Sequence, residues 1–386
     1  MMDRRLGGRL VLALAVVIGT GCAAIDAINP FSSSEPKVKP TTLAPIVSTS
    51  DLRARWQANL GSAGEFSFTP AVVGSSVYAA ARDGTVARID NGNTIWRISA
   101  GQILSGGVGS DGQRVVVGSP KGDVLAFDAS NGKEIWRARA SSEVLAAPAV
   151  SAGLVVVRSG DSRIFGFEPN DGKRRWVYQR STPPLSLRSA VGVYLAGDLT
   201  LAGFPGGKLV AIANNNGAAL WEVSVALPKG STELERIVDV TSDPVVSGTV
   251  VCAAAFQGRV SCFDTANGSV LWSREMSSSA GVDIDTRYVY ATDDKGAVHA
   301  FDRSTGASVW RQDKLGLRSV SRPLVVGNQI AVADYQGFVH MLRREDGAFA
   351  ARLATDGSAV RANLIPLGEG FLVQTAAGGV FALDAR

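Results

Sequence analysis

Gly122–Trp136 reads GDVLAFDASNGKEIW, Gly258–Trp272 reads GRVSCFDTANGSVLW, and Gly296–Trp310 reads GAVHAFDRSTGASVW. In each stretch a glycine opens an apolar segment that ends in Phe-Asp, and a glycine turn then leads into a short segment that ends in Trp. Two short apolar segments joined by such a turn are typical of a β-hairpin, so the repeat predicts an all-β protein. All seven tryptophans occupy this last position, at intervals of 38 to 51 residues: Trp56, Trp96, Trp136, Trp176, Trp221, Trp272 and Trp310.

The turn that precedes each Trp position has the composition of a tight hairpin connection. It is Asn-Gly four times, Asp-Gly twice and Thr-Gly once, and these pairs accept the positive φ angles that such turns need. Each repeat also contains an earlier pair of apolar segments, such as TPAVVGSSVYAAA from Thr69. Four short strands per repeat, at a spacing near 40 residues, are typical of one β-propeller blade.

The sequence contains eight such repeats. The seventh has Ala351 at the Trp position, and the eighth ends at Arg386 before a fourth strand. The segment Leu52–Leu60 carries Trp56, so we expect this N-terminal strand to complete the last blade and close the ring. The sequence therefore predicts an eight-bladed β-propeller with four antiparallel strands per blade. A seven-bladed ring with one degenerate repeat is the alternative. The residues that open the third strand of each repeat are Gly84, Gly122, Ser162, Gly207, Gly258, Gly296, Gly337 and Gly379.

The N-terminus is typical of a secretory signal. Three arginines precede an apolar run at Leu10–Ile18, and small residues lead to Cys22. The segment resembles a bacterial lipobox, which implies lipidation of Cys22, although Gly19 stands where the pattern usually has Leu. A plain signal peptide with an incidental cysteine is the alternative. Ala23 follows Cys22, and the absence of Asp there implies the outer membrane in the lipobox pattern.

The remaining sequence divides into two parts. Residues 22–50 are rich in Pro, Ser and Thr and are predicted to be a flexible linker after a lipoprotein signal peptide at residues 1–21. Residues 51–386 contain the repeats and are predicted to be the propeller. The formal net charge of the whole chain is only +4, and no basic tract stands out, so nucleic acid is not an expected partner.

The two cysteines of the repeat region are Cys252 and Cys262, which flank a hairpin turn. If the strands pair 252 with 262, a disulfide can form in an oxidising periplasm. A shift of one residue would put the two side chains on opposite faces. We favour two buried thiols over the disulfide.

No arrangement typical of catalysis appears in the sequence. His299 and His340 are the only histidines, and both lie three residues after the glycine that opens a third strand. Equivalent repeat positions favour a shared structural role over a metal pair. Motif aspartates such as Asp128, Asp264 and Asp302 recur around the ring, which favours turn capping over catalysis. The tryptophans are likewise expected to pack between blades and not to form a ligand cage.

The repeat resembles the pyrroloquinoline-quinone-type propeller repeat, in which Leu/Phe-Asp is followed by a glycine turn and Trp. That resemblance raises the hypothesis of a quinone-dependent dehydrogenase. Those enzymes have an adjacent Cys-Cys pair, a calcium site and a catalytic Asp, whereas this chain has no adjacent cysteines and is shorter. We therefore predict no enzymatic activity, no catalytic residues, no metal and no cofactor.

Two connections between repeats are longer than the others. They contain STPPLSLRSA at Ser181–Ala190 and ALPKGSTELERIVDVTSDP at Ala226–Pro244. With the lipoprotein signal and the eight repeats, these two loops resemble the BamB family of the β-barrel assembly machinery, and the similarity covers the whole chain. The resemblance implies binding to the periplasmic POTRA domains of BamA. The positions carried over from the family are Leu185, Leu187, Arg188 and Asp239, and Thr241 stands where the family loop has a further acidic residue.

The residues themselves support this interpretation. Leu185 and Leu187 alternate on a loop beside Arg188, which is a plausible anchor patch for a partner. The alternative is that both leucines tuck under their own loop. We also expect Arg188 to pair with Asp239, because the two loops are consecutive in the ring.

The leading hypothesis is a non-enzymatic scaffold on the periplasmic face of the outer membrane. It would bind BamA and the rest of the Bam complex, assist insertion of outer-membrane β-barrels, and contact unfolded outer-membrane proteins by β-augmentation. The alternatives are the quinone-dependent enzyme and a generic periplasmic interaction propeller.

Overall fold

The computed structural model describes residues 39–386. In that part of the chain, thirty-two strands form eight four-stranded antiparallel sheets. The predicted eight-bladed β-propeller is confirmed, and the seven-bladed alternative is wrong. Over residues 39–386, the fold contains no helix with the length and apolar character needed to span a bilayer. The predicted signal peptide, Cys22 and the predicted linker up to residue 38 lie outside the described residues.

The strands are numbered in chain order, and the first, β1 (Leu52–Asn59), belongs to the last blade. Blade 1 contains β2 (Ala71–Val73), β3 (Ser76–Ala80), β4 (Thr85–Asp90) and β5 (Asn93–Ser99). Blade 2 contains β6 (Gly106–Ser110), β7 (Arg114–Gly118), β8 (Asp123–Asp128) and β9 (Glu134–Arg139). Blade 3 contains β10 (Ala149–Ser151), β11 (Leu154–Arg158), β12 (Ile164–Phe167) and β13 (Arg174–Tyr178). Blade 4 contains β14 (Val193–Ala196), β15 (Leu199–Phe204), β16 (Lys208–Ala213) and β17 (Ala219–Ser224).

The second half of the ring repeats this order. Blade 5 contains β18 (Val245–Ser247), β19 (Val250–Ala254), β20 (Arg259–Asp264) and β21 (Val270–Glu275). Blade 6 contains β22 (Gly281–Ile284), β23 (Tyr288–Thr292), β24 (Val298–Asp302) and β25 (Ser308–Gln312). Blade 7 contains β26 (Leu324–Val326), β27 (Gln329–Ala333), β28 (Phe338–Arg343) and β29 (Phe349–Ala354). Blade 8 contains β30 (Ile365–Leu367), β31 (Gly370–Gln374) and β32 (Gly379–Ala385), and β1 is its fourth strand.

The N-terminal strand closes the ring as predicted. β1 pairs antiparallel with β32, from Leu52 opposite Ala385 to Asn59 opposite Gly379. The Nε of Arg55 on β1 donates to Oδ1 of Asp384 on β32 at 2.8 Å. This hydrogen bond lowers the pKa of Asp384 below its usual range. Blade 8 therefore joins the two ends of the propeller chain.

The two faces of the ring have different connections. The first strands of neighbouring blades contact one another, so they surround the central axis. The segments that run from the outer strand of one blade to the first strand of the next lie on one face, here called the loop face. The glycine turns between the third and outer strands lie on the opposite face, here called the turn face. Side chains for partner recognition are therefore expected on the loop face.

Each tryptophan packs on the glycine turn of the next blade. At Gly347, φ is 70°, and a Cβ would lie 2.5 Å from Cε3 of Trp310, so only glycine fits. The tryptophans pack between blades, as predicted, and form no ligand cage. Six of them donate the indole N–H to a main-chain carbonyl of the next blade at 2.7–3.1 Å: Trp96, Trp136, Trp176, Trp221, Trp272 and Trp310.

The motif aspartates cap turns, as the sequence predicts. Oδ1 of Asp128 accepts the N–H of Ser130 at 2.8 Å, and Oδ1 of Asp264 accepts the N–H of Ala266 at 2.9 Å. In Asp302, hydrogen bonds from Ser304 and Thr305 lower the pKa to about 2. These carboxylates are therefore committed to local main-chain and hydroxyl donors.

The two histidines occupy the same position in blades 6 and 7. The Nε2 of His299 lies 2.9 Å from Oδ2 of Asp293, and the Nε2 of His340 lies 3.1 Å from Oδ2 of Asp334. Each aspartate belongs to the turn between the second and third strands of its own blade. The predicted shared structural role is confirmed. Among residues 39–386, no group of three or more His, Cys, Asp or Glu side chains is arranged to hold a metal ion.

The preference for two free thiols is wrong. Cys252 on β19 lies directly opposite Cys262 on β20, with 4.1 Å between their Cα atoms, and the two form a disulfide. The direct register puts both side chains on the same face of the sheet, where both are fully buried. The hairpin turn sets that register, and a one-residue shift would have separated the sulfur atoms.

Candidate partner-binding surface

Two connections on the loop face are longer than the others, as predicted. The first loop, residues 179–192, joins β13 to β14, and the second loop, residues 225–244, joins β17 to β18. They flank blade 4 and are therefore consecutive in the ring. The backbone of Asp239 in the second loop forms isolated β-bridges with Pro205 and Phe256, which fixes this part of the loop between blades 4 and 5.

Asp239 also joins the two loops through its carboxylate. Its Oδ2 accepts the main-chain N–H of Leu187 at 2.6 Å, and its Oδ1 accepts the N–H of Gly206 at 3.1 Å. Only 2% of Asp239 is exposed. A buried carboxylate must be hydrogen-bonded, and bonds from main-chain N–H groups to a charged acceptor are strong. Asp239 therefore holds the backbone of the first loop at Leu187.

The predicted ion pair between Arg188 and Asp239 is wrong. Arg188 instead pairs with Glu143, and its Nε and Nη2 each lie 2.8 Å from one carboxylate oxygen. Glu143 lies in the connection between blades 2 and 3, which is adjacent to the first loop. The contact with Glu143 raises the pKa of Arg188 above its ordinary value. The guanidinium is thus fixed at the surface, with 58% of the side chain still exposed.

The two predicted leucines of the first loop face solvent. Leu185 is 44% exposed and Leu187 is 36% exposed, so neither is tucked under its own loop. The backbone N–H of Leu187 is held by Asp239, and the Arg188–Glu143 pair fixes the next side chain. The loop therefore presents two exposed apolar side chains, with the backbone of Leu187 held in place.

The second loop adds two exposed leucines that the sequence analysis missed. Leu227 is 59% exposed and Leu234 is 70% exposed. Leu234 lies within a turn in which Oε2 of Glu235 accepts the N–H of Thr232 at 3.1 Å, and the Thr232 hydroxyl accepts the N–H of Glu235 at 3.2 Å. The sequence does contain a signal for this turn, because Thr232-x-x-Glu235 is the pattern of a capping box.

A central funnel opens beside the two loops. Its volume is about 860 Å³, and residues from seven of the eight connections between blades line it, including Leu187 and Arg188. Thr241 also lines the funnel, and its hydroxyl lies 3.4 Å from the carbonyl oxygen of Ser279. Deeper in the ring, Nδ2 of Asn363 lies 3.3 Å from Oδ2 of Asp243.

Two arginines lie beside Phe204, Arg158 from β11 and Arg180 from the first loop itself. The guanidinium groups of Arg158 and Arg180 lie 5.1 Å and 5.5 Å from the centre of the Phe204 ring. Burial lowers the pKa of Arg158 to about 10, and the carboxylates of Asp243 and Asp239 oppose that shift. The buried carboxylate that holds the first loop therefore lies in a favourable positive field.

Comparison with known proteins identifies the family. A family model described as outer membrane protein assembly factor BamB matches residues 82–312. A protein of that name from Bordetella pertussis is 43% identical over 96% of this chain and 96% of its own length. The chain belongs to the BamB family. A BamB protein from Burkholderia pseudomallei is 40% identical over 99% of both chains.

A solved structure agrees with this assignment. The crystal structure of BamB from Moraxella catarrhalis matches with a TM-score of 0.81 and 28% sequence identity, covering 86% of this chain and 100% of that chain. The members of the BamB family carry the name of assembly factors. This chain is accordingly an assembly factor and not an enzyme, and the quinone-dependent alternative is not favoured.

Proposed function

We propose that this chain is a scaffold lipoprotein of the β-barrel assembly machinery that assists insertion of outer-membrane β-barrel proteins. The names of its BamB relatives support a role in outer-membrane protein assembly. The observation that carries the proposal is the paired arrangement of the first and second loops. They are joined by Asp239 and present four exposed leucines on the loop face.

The partner on this surface is the POTRA region of BamA. Complete burial of a leucine side chain contributes roughly 1.5–3 kcal/mol, so a leucine that is already half-buried has about 1 kcal/mol left to contribute to binding. Because the Asp239 carboxylate and the Arg188–Glu143 pair already order the first loop, little conformational entropy is lost on docking. Leu185, Leu187, Arg188 and Asp239 are the binding residues of this proposal.

The chain is anchored at the periplasmic face of the outer membrane through lipidated Cys22. The lipobox-like sequence before Cys22 supports this part of the proposal. Burial of acyl methylene groups in the bilayer supplies the free energy of anchoring. Mass spectrometry of the N-terminal peptide tests the lipidation of Cys22, and an unmodified cysteine at this position would contradict the proposed anchor.

Unfolded outer-membrane proteins are a second partner, bound along the outer strands. The outer strand of each blade is an edge strand, so its free main-chain groups are a template for another strand. A photo-crosslinker at position 220 should capture an unfolded barrel protein, whereas one at position 187 should capture BamA. Six outer strands expose an apolar side chain next to the tryptophan, at 41–58% exposure: Ile95, Ile135, Val177, Leu220, Leu271 and Val309.

The main experiment is a binding titration of the purified chain against the POTRA domains of BamA. Leu187→Ala and Arg188→Ala should each weaken binding, because they remove an apolar anchor and a fixed guanidinium. Leu220→Ala is the matched control, since Leu220 is 58% exposed but lies on the outer strand of blade 4. Binding that is unchanged in both loop variants would contradict the proposed surface, and no binding by the wild type would contradict the proposed partner.

A further inference from the structure

Residues 40–50 lie against the outside of the ring, where the sequence predicts a flexible linker. This segment is here called the strap. The main-chain N–H of Thr41 donates to the carbonyl of Gly316 at 2.9 Å, and that of Thr49 donates to the carbonyl of Ala350 at 2.8 Å. Leu43 packs against the apolar cluster between blades 6 and 7. The strap therefore has both polar and apolar contacts along its length.

Two arginines of the propeller hold the carbonyl groups of the strap. The Nη1 of Arg318 donates to the carbonyl of Thr41 at 3.1 Å, and the Nη1 of Arg352 donates to the carbonyl of Ala44 at 2.8 Å. Charge-assisted hydrogen bonds of this kind are stronger than neutral ones. The first half of the strap is thus held at two separate points.

A buried pair positions both arginines. The Nε of Arg318 donates to Oδ2 of Asp334 at 2.7 Å, and the Nε of Arg352 donates to Nδ1 of His340 at 3.1 Å. Arginine has no acceptor, so Nδ1 of His340 must accept, and Nε2 carries the proton that is donated to Asp334. His340 is therefore neutral, and burial lowers its pKa in agreement with this state. Asp334 and His340 are both fully buried.

The strap crosses the blade that lacks a tryptophan. Blade 7 has Ala351 on its outer strand, and Ala350 beside it accepts the hydrogen bond from Thr49 of the strap. Just after the strap, Asp51 and Arg386 exchange two main-chain hydrogen bonds of 2.9 Å on the turn face. At its other end, the strap reaches Gly316 in the connection between blades 6 and 7, which belongs to the loop face.

We propose that the docked strap determines from which face of the ring the membrane tether leaves and how far the tether can extend. This inference rests on the lipid anchor at Cys22 proposed above. With the strap docked, the 18 residue steps from Cys22 to Pro40 span at most about 60 Å, starting from the loop face. With the strap released, the 30 steps from Cys22 to Leu52 span about 100 Å, starting from the turn face. Docking therefore keeps the proposed BamA-binding loops on the side of the ring from which the tether leaves.

Hydrogen exchange of the lipidated chain in liposomes tests the docking. In the wild type, the amides of Thr41 and Thr49 should exchange slowly. The double variant Leu43→Asp with Arg352→Ala should speed their exchange about 10-fold or more, because it removes the apolar contact and one carbonyl clamp. Arg274→Ala is the matched control, since Arg274 donates to main-chain carbonyls at another junction and should leave the strap unchanged. Wild-type amides that exchange as fast as those of the double variant would overturn the docked strap.

A second measurement tests the reach. A fluorophore is attached at Ile103→Cys, an exposed position on the loop face. Its quenching by nitroxide-labelled lipids is then measured. Quenching should be greater with the docked strap than in the double variant, and equal quenching would overturn the proposed control of reach. Binding to POTRA domains in solution should be the same in both proteins. Absence of that binding in the wild type would contradict the proposed function while leaving the exchange result intact.

Discussion

The variant Asp239→Asn tests how the first loop is positioned without changing the exposed side chains of that loop. The wild-type carboxylate accepts two main-chain N–H groups, from Leu187 at 2.6 Å and from Gly206 at 3.1 Å. Asparagine has one acceptor oxygen, so its amide N–H₂ would face one of these two donors. Because Asp239 is 2% exposed, water cannot replace the lost acceptor. The substitution therefore leaves a buried donor unsatisfied without changing any exposed side chain.

The size of the effect follows from the two hydrogen bonds. Leaving one buried donor unsatisfied costs about 1–3 kcal/mol, and the remaining bond loses the charge of its acceptor. A total of about 2–3 kcal/mol is therefore expected. If the first loop must be ordered again when the partner binds, the affinity for POTRA domains falls by about 30-fold for each 2 kcal/mol. The rest of the ring should be unaffected, because the hydrogen bonds and β-bridges of Asp239 involve only the two loops and blades 4 and 5.

Two assays are needed for Asp239→Asn. Hydrogen exchange at the Leu187 amide reports the loop directly, and calorimetric titration with POTRA domains reports its consequence. Asp264→Asn is the matched control, because Asp264 also accepts a main-chain N–H but lies in an exposed turn on the turn face. A variant whose Leu187 amide stays protected and whose affinity is unchanged would refute the reasoning.

Three other predictions concern stability. The double variant Cys252→Ser with Cys262→Ser should lower the free energy of unfolding by about 3 kcal/mol, since the disulfide closes a loop with a sequence separation of 10, and an unchanged melting temperature would contradict this. Burial lowers the pKa of His340 below 6.5 in the folded chain, so the unfolded chain takes up the proton first. The free energy of unfolding should be highest above pH 6.5 and should decrease as the pH falls from 6.5 through the folded-state pKa. The variant His340→Gln should show a smaller decrease in denaturant titrations at the same pH values. Gly347→Ala should lower the free energy of unfolding by about 2 kcal/mol more than Gly327→Ala. Both glycines have positive φ, but only Gly347 has a tryptophan ring within 4 Å. Equal melting temperatures of the two variants would argue against the Trp–Gly contact.

The repeating features were predictable because each follows from a local rule. The glycine four residues before most tryptophans indicated a turn with positive φ, and Gly132 before Trp136 has a φ of 73°. Closure by β1 followed from the missing fourth strand after Ala385. The two long loops stood out because their lengths break the period. The turn and loop signals depend only on residues that are near one another in the chain, whereas ring closure follows from a count of the strands.

The errors concern contacts between segments that the repeat does not relate, and one strand register within blade 5. Arg188 pairs with Glu143, which lies 45 residues earlier in a connection of ordinary length. The Arg188–Asp239 pair was expected from the adjacency of the two loops and from opposite charge, without the depth at which Asp239 is buried. The disulfide depended on a register that two sequence positions do not determine. The contacts of the strap depend on a buried histidine and arginines far along the chain.

The pairing of β1 with β32 has a consequence for folding during synthesis. β1 is the first strand of the propeller to be made, whereas its partner ends one residue before Arg386. The ring therefore stays open, with an unpaired strand at each end, until the last seven-residue strand is available. Closure joins the most distant segments of the domain, so it is slow relative to hairpin formation within each blade. A nascent chain of this family thus exposes its own strand edges for the whole of its synthesis, and a truncation of β32 alone should leave a chain that aggregates.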